Sequence, residues 1–274
     1  MTVGVGAICD GGKSVVVAAD RMITFGAPMN LQTEPPDFNK ITQITPRCAL
    51  IFSGSGPDGE EIIASARKKL GGSPSPKTPI TRVAEVVKEA YVELKRNRVE
   101  ENILKPMLSA TFKEFQTLCA QSSSSQVLQQ VLGMIVQHNL NLEVMIAGVD
   151  ESAVGAQLFV TTHPGQVFPM AMQGTTAIGS GGIHAAVRMT LGQHARTATI
   201  VDTVYNVYEA KRASEVAPGV GKLTDLAIIT ADTFRLANKP LFDILEAVHK
   251  EKPALSDDER GKLQGACNEC MGKK

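Results

Sequence analysis

The chain has no net charge: Lys plus Arg and Asp plus Glu both number 28. That balance removes the electrostatic case for nucleic acid or an anionic membrane as partner. It also lacks any apolar run long enough to span a bilayer. No basic stretch followed by an apolar one stands behind Met1-Thr2-Val3-Gly4, so the start does not read as a signal peptide. Cysteines are few and odd in number, five in all (Cys9, Cys48, Cys119, Cys267 and Cys270), which suits a reducing cytoplasm. A zinc site needs about four ligands. Cys267-x-x-Cys270 has no second pair of its spacing, and the five histidines show no ligand spacing. No metal and no organic cofactor are expected.

What the chain does have is apolar mass, with 43% hydrophobic residues over 274 positions. That is enough for a large core, and one domain with insertions is the simplest expectation. Val3 to Ile8 and Ser14 to Ala19 flank Asp10-Gly11-Gly12-Lys13, a turn signal, and read as a hairpin apolar on both faces. Ile23 to Asn39 reads as an irregular loop. Ile41 to Ile44 and Cys48 to Phe52 read as a second strand pair, followed by a helix over Gly59 to Leu70. Thr81 opens a long amphipathic helix, which Pro106 interrupts. The stretch from Lys105 to Asn141 is less regular, with a polar break at Ser122 to Ser125 and a helix over Gln126 to His138. Strands are expected at Leu142 to Val149, Gln157 to Thr162 and Gly165 to Met170. A helix opens at Ile178-Gly179-Ser180-Gly181-Gly182, another covers Thr199 to Ala213, and a buried strand covers Leu223 to Thr230. Two terminal helices close the chain, over Phe242 to Lys250 and Ser256 to Met271. Strands grouped apart from helices disfavour a doubly wound parallel sheet. Two stacked sheets between helical layers satisfy strands that are apolar on both faces.

Candidate chemistry begins at Thr2. Removal of Met1 would leave an α-amine beside a hydroxyl, and that amine can serve as base for its own side chain. The hairpin is centred on Gly11, so Thr2 and Asp20 lie equally far from the turn and are expected to face each other across the ladder. Read alone, Asp20 could equally cap a strand and bridge to a lysine. Lys40 opens a strand and is either a solvated edge or a partner of Asp20 that lowers the hydroxyl pKa. Gly54 is either a turn glycine or a backbone N–H aimed at an oxyanion. Ser180 sits in a glycine-rich turn before a helix, without the lysine of a phosphate loop.

Together these pieces resemble a known pattern. Thr2-Val3-Gly4-Val5, Val16-Val17-Ala18-Ala19-Asp20-Arg21, Lys40-Ile41-x-Gln43-Ile44 and Ser53-Gly54 are similar to proteasome β subunits and their bacterial relatives, which are N-terminal-nucleophile (Ntn) hydrolases. Gly179-Ser180-Gly181 and Lys222-Leu223-Thr224-Asp225-Leu226 through Thr230 fit the same resemblance. It implies an α+β fold, a four-layer αββα sandwich of two antiparallel sheets between helical layers. It implies Thr2 as nucleophile and base, Asp20 and Lys40 as its support, Gly54 as the oxyanion glycine and Ser180 beside the amine. The implied activity is threonine-type hydrolysis of a peptide or protein by a homo-oligomer of ring type; apart from the resemblance, the start at Met1-Thr2 leads to the expectation that maturation needs only removal of Met1.

The resemblance organises the chain as a catalytic domain over residues 2–232, with an insertion near 105–140, and a helical extension over 233–274. This chain departs from the family in a longer first hairpin and a longer loop before Lys40. The family's late aspartate falls near Ser214 or Glu215 and its following serine is absent, so the amine-orienting network is either rebuilt with Glu215 or lost. Two other readings stay open: a non-catalytic scaffold subunit, and an Ntn amidase or acyl transferase for a specific substrate whose lid is the insertion.

Overall fold

The structure is a computed structural model and describes residues 2–25, 31–72, 75, 77–121, 125–151, 155–251 and 256–272. The polar break at 122–124 lies outside the described residues.

The β-branched run that follows the start forms β1 (Gly4–Cys9), and its mirror forms β2 (Ser14–Asp20). Every residue of both strands is buried, as a pair apolar on both faces requires. Asp10, Gly11 and Gly12 all take positive φ in the connecting turn. The register pairs Gly4 with Ala19 and Cys9 with Ser14. This corrects the expected symmetry by one residue. The turn has an even number of residues and is centred between Gly11 and Gly12, so Asp20 lies across from Val3, to whose carbonyl it donates at 3.3 Å. Thr2 lies one place beyond.

The segment expected to be irregular holds a short hairpin, β3 (Ile23–Phe25) with β4 (Leu31–Thr33). Next come β5 (Ile41–Thr45) and β6 (Cys48–Ser53), then α1 (Gly56–Lys69), capped by Ser55 accepting from Asp58 N. Helix α2 (Ile80–Val99) does not stop before Pro106. It passes through a π-helical turn (Glu100–Leu104) into α3 (Lys105–Leu108) and ends where Ser109 turns left-handed. Pro106 is the second residue of α3, directly after the π-helical turn.

The 105–140 stretch contains α4 (Phe112–Gln121), which sequence reading missed, and α5 (Gln126–Gln137). The chain continues through β7 (Glu143–Val149), β8 (Ala156–Thr162), β9 (Gln166–Pro169) and β10 (Thr175–Ile178). Then follow α6 (Gly182–Leu191), α7 (Ile200–Ala213), β11 (Thr224–Thr230), β12 (Phe234–Leu236), α8 (Lys239–Glu251) and α9 (Asp257–Cys270).

Two five-stranded antiparallel sheets result, in the orders β10-β1-β2-β11-β12 and β5-β6-β7-β8-β9. Between them lies a core that includes Val15, Val17, Ile51, Met145, Leu158 and Ile229. The outer face of the second sheet packs on α1 and α2 through Leu50, Ile62, Val83 and Tyr91. The outer face of the first packs on α6, α7, α8 and α9 through Val5, Val16, Val204, Tyr208, Leu245 and Leu263. The order helix, sheet, sheet, helix is the four-layer α+β sandwich expected. Ile103, Leu104, Phe115, Leu128 and Val131 make a satellite core under α4 and α5. Among the described residues no helix is long and apolar enough to cross a membrane.

Candidate active site

The site forms where the free end of β1, the end of β2 and the start of β5 meet. Asp20, at the last position of β2, is fully buried, with 0% exposure. Its Oδ1 accepts from Thr2 Oγ1 at 2.9 Å, from Val3 N at 2.9 Å and from Lys40 Nζ at 3.0 Å. Its Oδ2 accepts from Met22 N at 2.9 Å and from Gly221 N at 3.1 Å. Lys40 Nζ also donates directly to Thr2 Oγ1. The Thr2 hydroxyl is thus held between a carboxylate and an ammonium. Burial pulls the Lys40 ammonium below its ordinary pKa, and the Asp20 carboxylate opposes that shift.

Thr2 N donates to Ser180 Oγ at 3.3 Å, and Ser180 Oγ lies at the same 3.3 Å from Thr2 O. The turn that carries Ser180 fits closely. A Cβ on Gly179, at φ +86°, would sit 2.3 Å from Thr2 O. Glu143 Oε2 accepts from Gly179 N at 2.7 Å and anchors the turn to β7. Gly54, just past β6, has φ +120°, and a Cβ there would sit 2.0 Å from Asn141 O. Only glycine meets both conditions.

Thr2, Asp20, Lys40 and Ser180 are therefore in one bonded constellation. Gly54 shares with Thr2 and Lys40 a cavity of about 290 Å³, whose walls include Met22, Phe38, Phe52 and Glu60. A second cavity of about 460 Å³ also borders Gly54 and is lined by Asn139, Asn141, Glu143 and Ser180. The larger cleft of about 870 Å³ surrounds the Asp10–Lys13 turn, at the opposite end of β1, and holds none of these residues.

The late network is not rebuilt through Glu215 as an amine-orienting group. Glu215 Oε1 accepts from Lys211 Nζ at 2.7 Å, and Ser214 Oγ donates to Ala210 O at 2.8 Å. Ser180 Oγ has Pro218 O at 3.5 Å as its further neighbour. The physical reason is the end of α7. The Lys211–Glu215 pair is an i,i+4 pair, so its shortest reach is along the helix.

Sequence reading missed two residues here. Asp225, at the start of β11, accepts from Arg21 Nε at 2.7 Å and from Lys40 N at 3.4 Å. Burial pushes its carboxyl up, and the Arg21 guanidinium opposes the shift. Lys211 is fully buried beneath the same corner. The Lys222-Leu223-Thr224-Asp225 run carried a usable signal for Asp225, because an acid at the end of an otherwise apolar strand needs a partner.

Comparison with known families finds a match over part of the chain. The proteasome subunit family model matches residues 3–99, which covers β1 through α2 and includes Asp20, Lys40 and Gly54. Thr2 lies one residue before the match, and Ser180, Lys211 and Glu215 lie beyond it. The matched span and the two antiparallel sheets agree with a proteasome-like Ntn hydrolase fold. No curated protein matches the chain.

Proposed function

Taking the proteasome-subunit match as premise, we propose that this chain is a threonine-type amide hydrolase acting on peptides, with Thr2 as nucleophile once Met1 is removed. The observation that carries the reading is the Thr2 hydroxyl held by Asp20 Oδ1 at 2.9 Å and by Lys40 Nζ.

The freed α-amine of Thr2, beside Ser180 Oγ, takes the hydroxyl proton as Oγ1 attacks the substrate carbonyl. The Lys40 ammonium favours the developing alkoxide. The Gly54 N–H donates to the tetrahedral oxyanion, where a backbone donor typically contributes on the order of 3 kcal/mol to the transition state. Collapse expels the amine half of the substrate, which takes the proton from the Thr2 amine. A water then attacks the ester and returns Oγ1 to the hydroxyl. Asp20 holds Thr2 and Lys40 in register throughout. The expected assembly is a homo-oligomer, ring-shaped in keeping with the family, and the expected compartment is the cytoplasm.

Thr2→Ala tests the reading: peptide turnover is expected to vanish while the circular dichroism spectrum and melting curve stay close to wild type. Retained turnover in that variant contradicts it. The competing reading, a non-catalytic subunit, draws on one observation: Glu215 is engaged by Lys211, leaving Ser180 with Thr2 and Pro218 as its hydrogen-bond partners. Inertness of the Met1-free wild-type protein toward both peptides and reactive carbonyl probes would favour it.

A further inference from the structure

Lys211 is the least expected group near the site. It lies in the last turn of α7, on a face otherwise built from Val204, Val207 and Tyr208, and its side chain is 0% exposed. An ammonium in such a place costs several kcal/mol unless every proton is matched. Here each is matched: Nζ donates to Glu215 Oε1 at 2.7 Å, to Gly221 O at 2.9 Å and to Lys222 O at 2.8 Å. Two of the three acceptors are consecutive carbonyls of one turn. The N–H of that turn, from Gly221, donates to Asp20 Oδ2 at 3.1 Å.

Gly221 can hold no side chain there, since a Cβ would sit 1.9 Å from Glu34 Oε1 and 3.0 Å from Met22 Cβ. With Gly221 N and Met22 N on Oδ2, the Asp20 carboxylate is fixed in rotation and Oδ1 is left facing Thr2 and Lys40.

We propose that Lys211 and Glu215 are positioning residues whose buried ion pair pins the 220–222 turn, so that Gly221 N–H fixes the rotation of Asp20. The catalytic half of this inference rests on the function proposed above; the structural half does not. A pair that merely filled space would be replaceable by apolar side chains, because exchanging a buried ion pair for hydrophobic residues of similar volume is often neutral or stabilising. That gives the test.

In the full-length protein, the double variant Lys211→Met/Glu215→Leu removes both charges; Arg212, 3.4 Å from Glu215, keeps Glu246 at 3.1 Å. Its melting temperature is expected to stay near that of wild type. Amide exchange at Gly221, followed by NMR, is expected to accelerate at least about tenfold relative to the amides of β11, as local opening of the turn requires. The rate constant for covalent capture of Thr2 by a β-lactone is expected to fall by at least about tenfold, with the affinity for the probe unchanged, since a small misplacement at the reacting group acts on rate more than on binding.

A double variant whose Gly221 stays as protected as in wild type overturns the proposal. So does a variant that loses Gly221 protection yet is captured at the wild-type rate. If wild type itself is not captured, the hydrolase reading falls and Gly221 exchange still decides the positioning role. If the double variant does not fold, Glu215→Gln decides, because it keeps an acceptor for Lys211 and removes the charge. Intermediate Gly221 protection supports the pair, and wild-type protection contradicts it.

Discussion

At the scale of residues, the account turns on a buried carboxylate that is fully satisfied. Asp20 receives Thr2 Oγ1, Val3 N and Lys40 Nζ on one oxygen and Met22 N and Gly221 N on the other. Removing its countercharge leaves that charge buried. Lys40→Met should therefore destabilise the protein by about 3–5 kcal/mol in urea unfolding, at the lower end because N–H donors remain. It should also abolish capture of Thr2. A loss below about 1 kcal/mol would show that the pair is not part of the folded framework.

Much of this constellation was legible before any coordinates. A glycine turn between two apolar runs sets a mirror, and the mirror brings Asp20 to the start of the chain. The mirror was misplaced by one residue because strand lengths alone do not say whether a turn is centred on a residue or between two. Lys211 could not have been read. Its meaning depends on a helix end meeting the carbonyls of Gly221 and Lys222, and no periodicity encodes that meeting.

At the scale of elements, β6 and α1 form one wall of the cavity beside Thr2. Gly54 links them, at φ +120° and against Asn141 O. Gly54→Ala is expected to cost about 1–3 kcal/mol of stability, from a left-handed backbone and a clash with a main-chain oxygen. It should also slow capture of Thr2 more than it weakens probe binding. Wild-type stability in that variant would mean that the close approach of the Asn139–Leu142 segment is not maintained in solution.

The cavity beside Gly54 has apolar walls in Met22, Ile23, Phe38 and Phe52, with Glu60 of α1 as its carboxylate. Glu60→Gln should lower cleavage after lysine or arginine relative to leucine by about tenfold, equal to about 1.4 kcal/mol, in paired fluorogenic peptides. An unchanged ratio would place the substrate side chain elsewhere. The strands that sequence reading missed are all three or four residues long: β3 and β4 pair apart from the two large sheets, and β10 and β12 are the edges of the first sheet. Helix α4 was missed because it is short, at ten residues, and buries Phe115 alone.

At the scale of the whole molecule, the four layers were readable because strands apolar on both faces demand helices outside them. The same layering hides three of the five thiols. Cys9 and Cys267 lie in the core beside the first sheet, and burial raises both thiols to about 12. Burial also pushes the Cys48 thiol far up, within the core of the second sheet. Raised thiols are protonated in the fold and ionise more readily in the open chain. Their contribution to stability is complete below about pH 8.5 and is lost as pH rises above it. An aromatic disulfide reagent at pH 8 should therefore label Cys119, which is partly exposed, before Cys9, Cys48 or Cys267. Simultaneous labelling of all of them would contradict a closed sandwich.

The central claim is that Thr2 becomes an activated N-terminal nucleophile. It is tested most directly by mass spectrometry of the intact purified protein before and after treatment with an epoxyketone or β-lactone, with the adduct mapped by peptide. The account predicts loss of Met1 and one adduct, on Thr2, absent from Thr2→Ala. A protein that retains Met1, or a free Thr2 that takes no adduct, would contradict it and leave the proteasome-like fold serving as a scaffold.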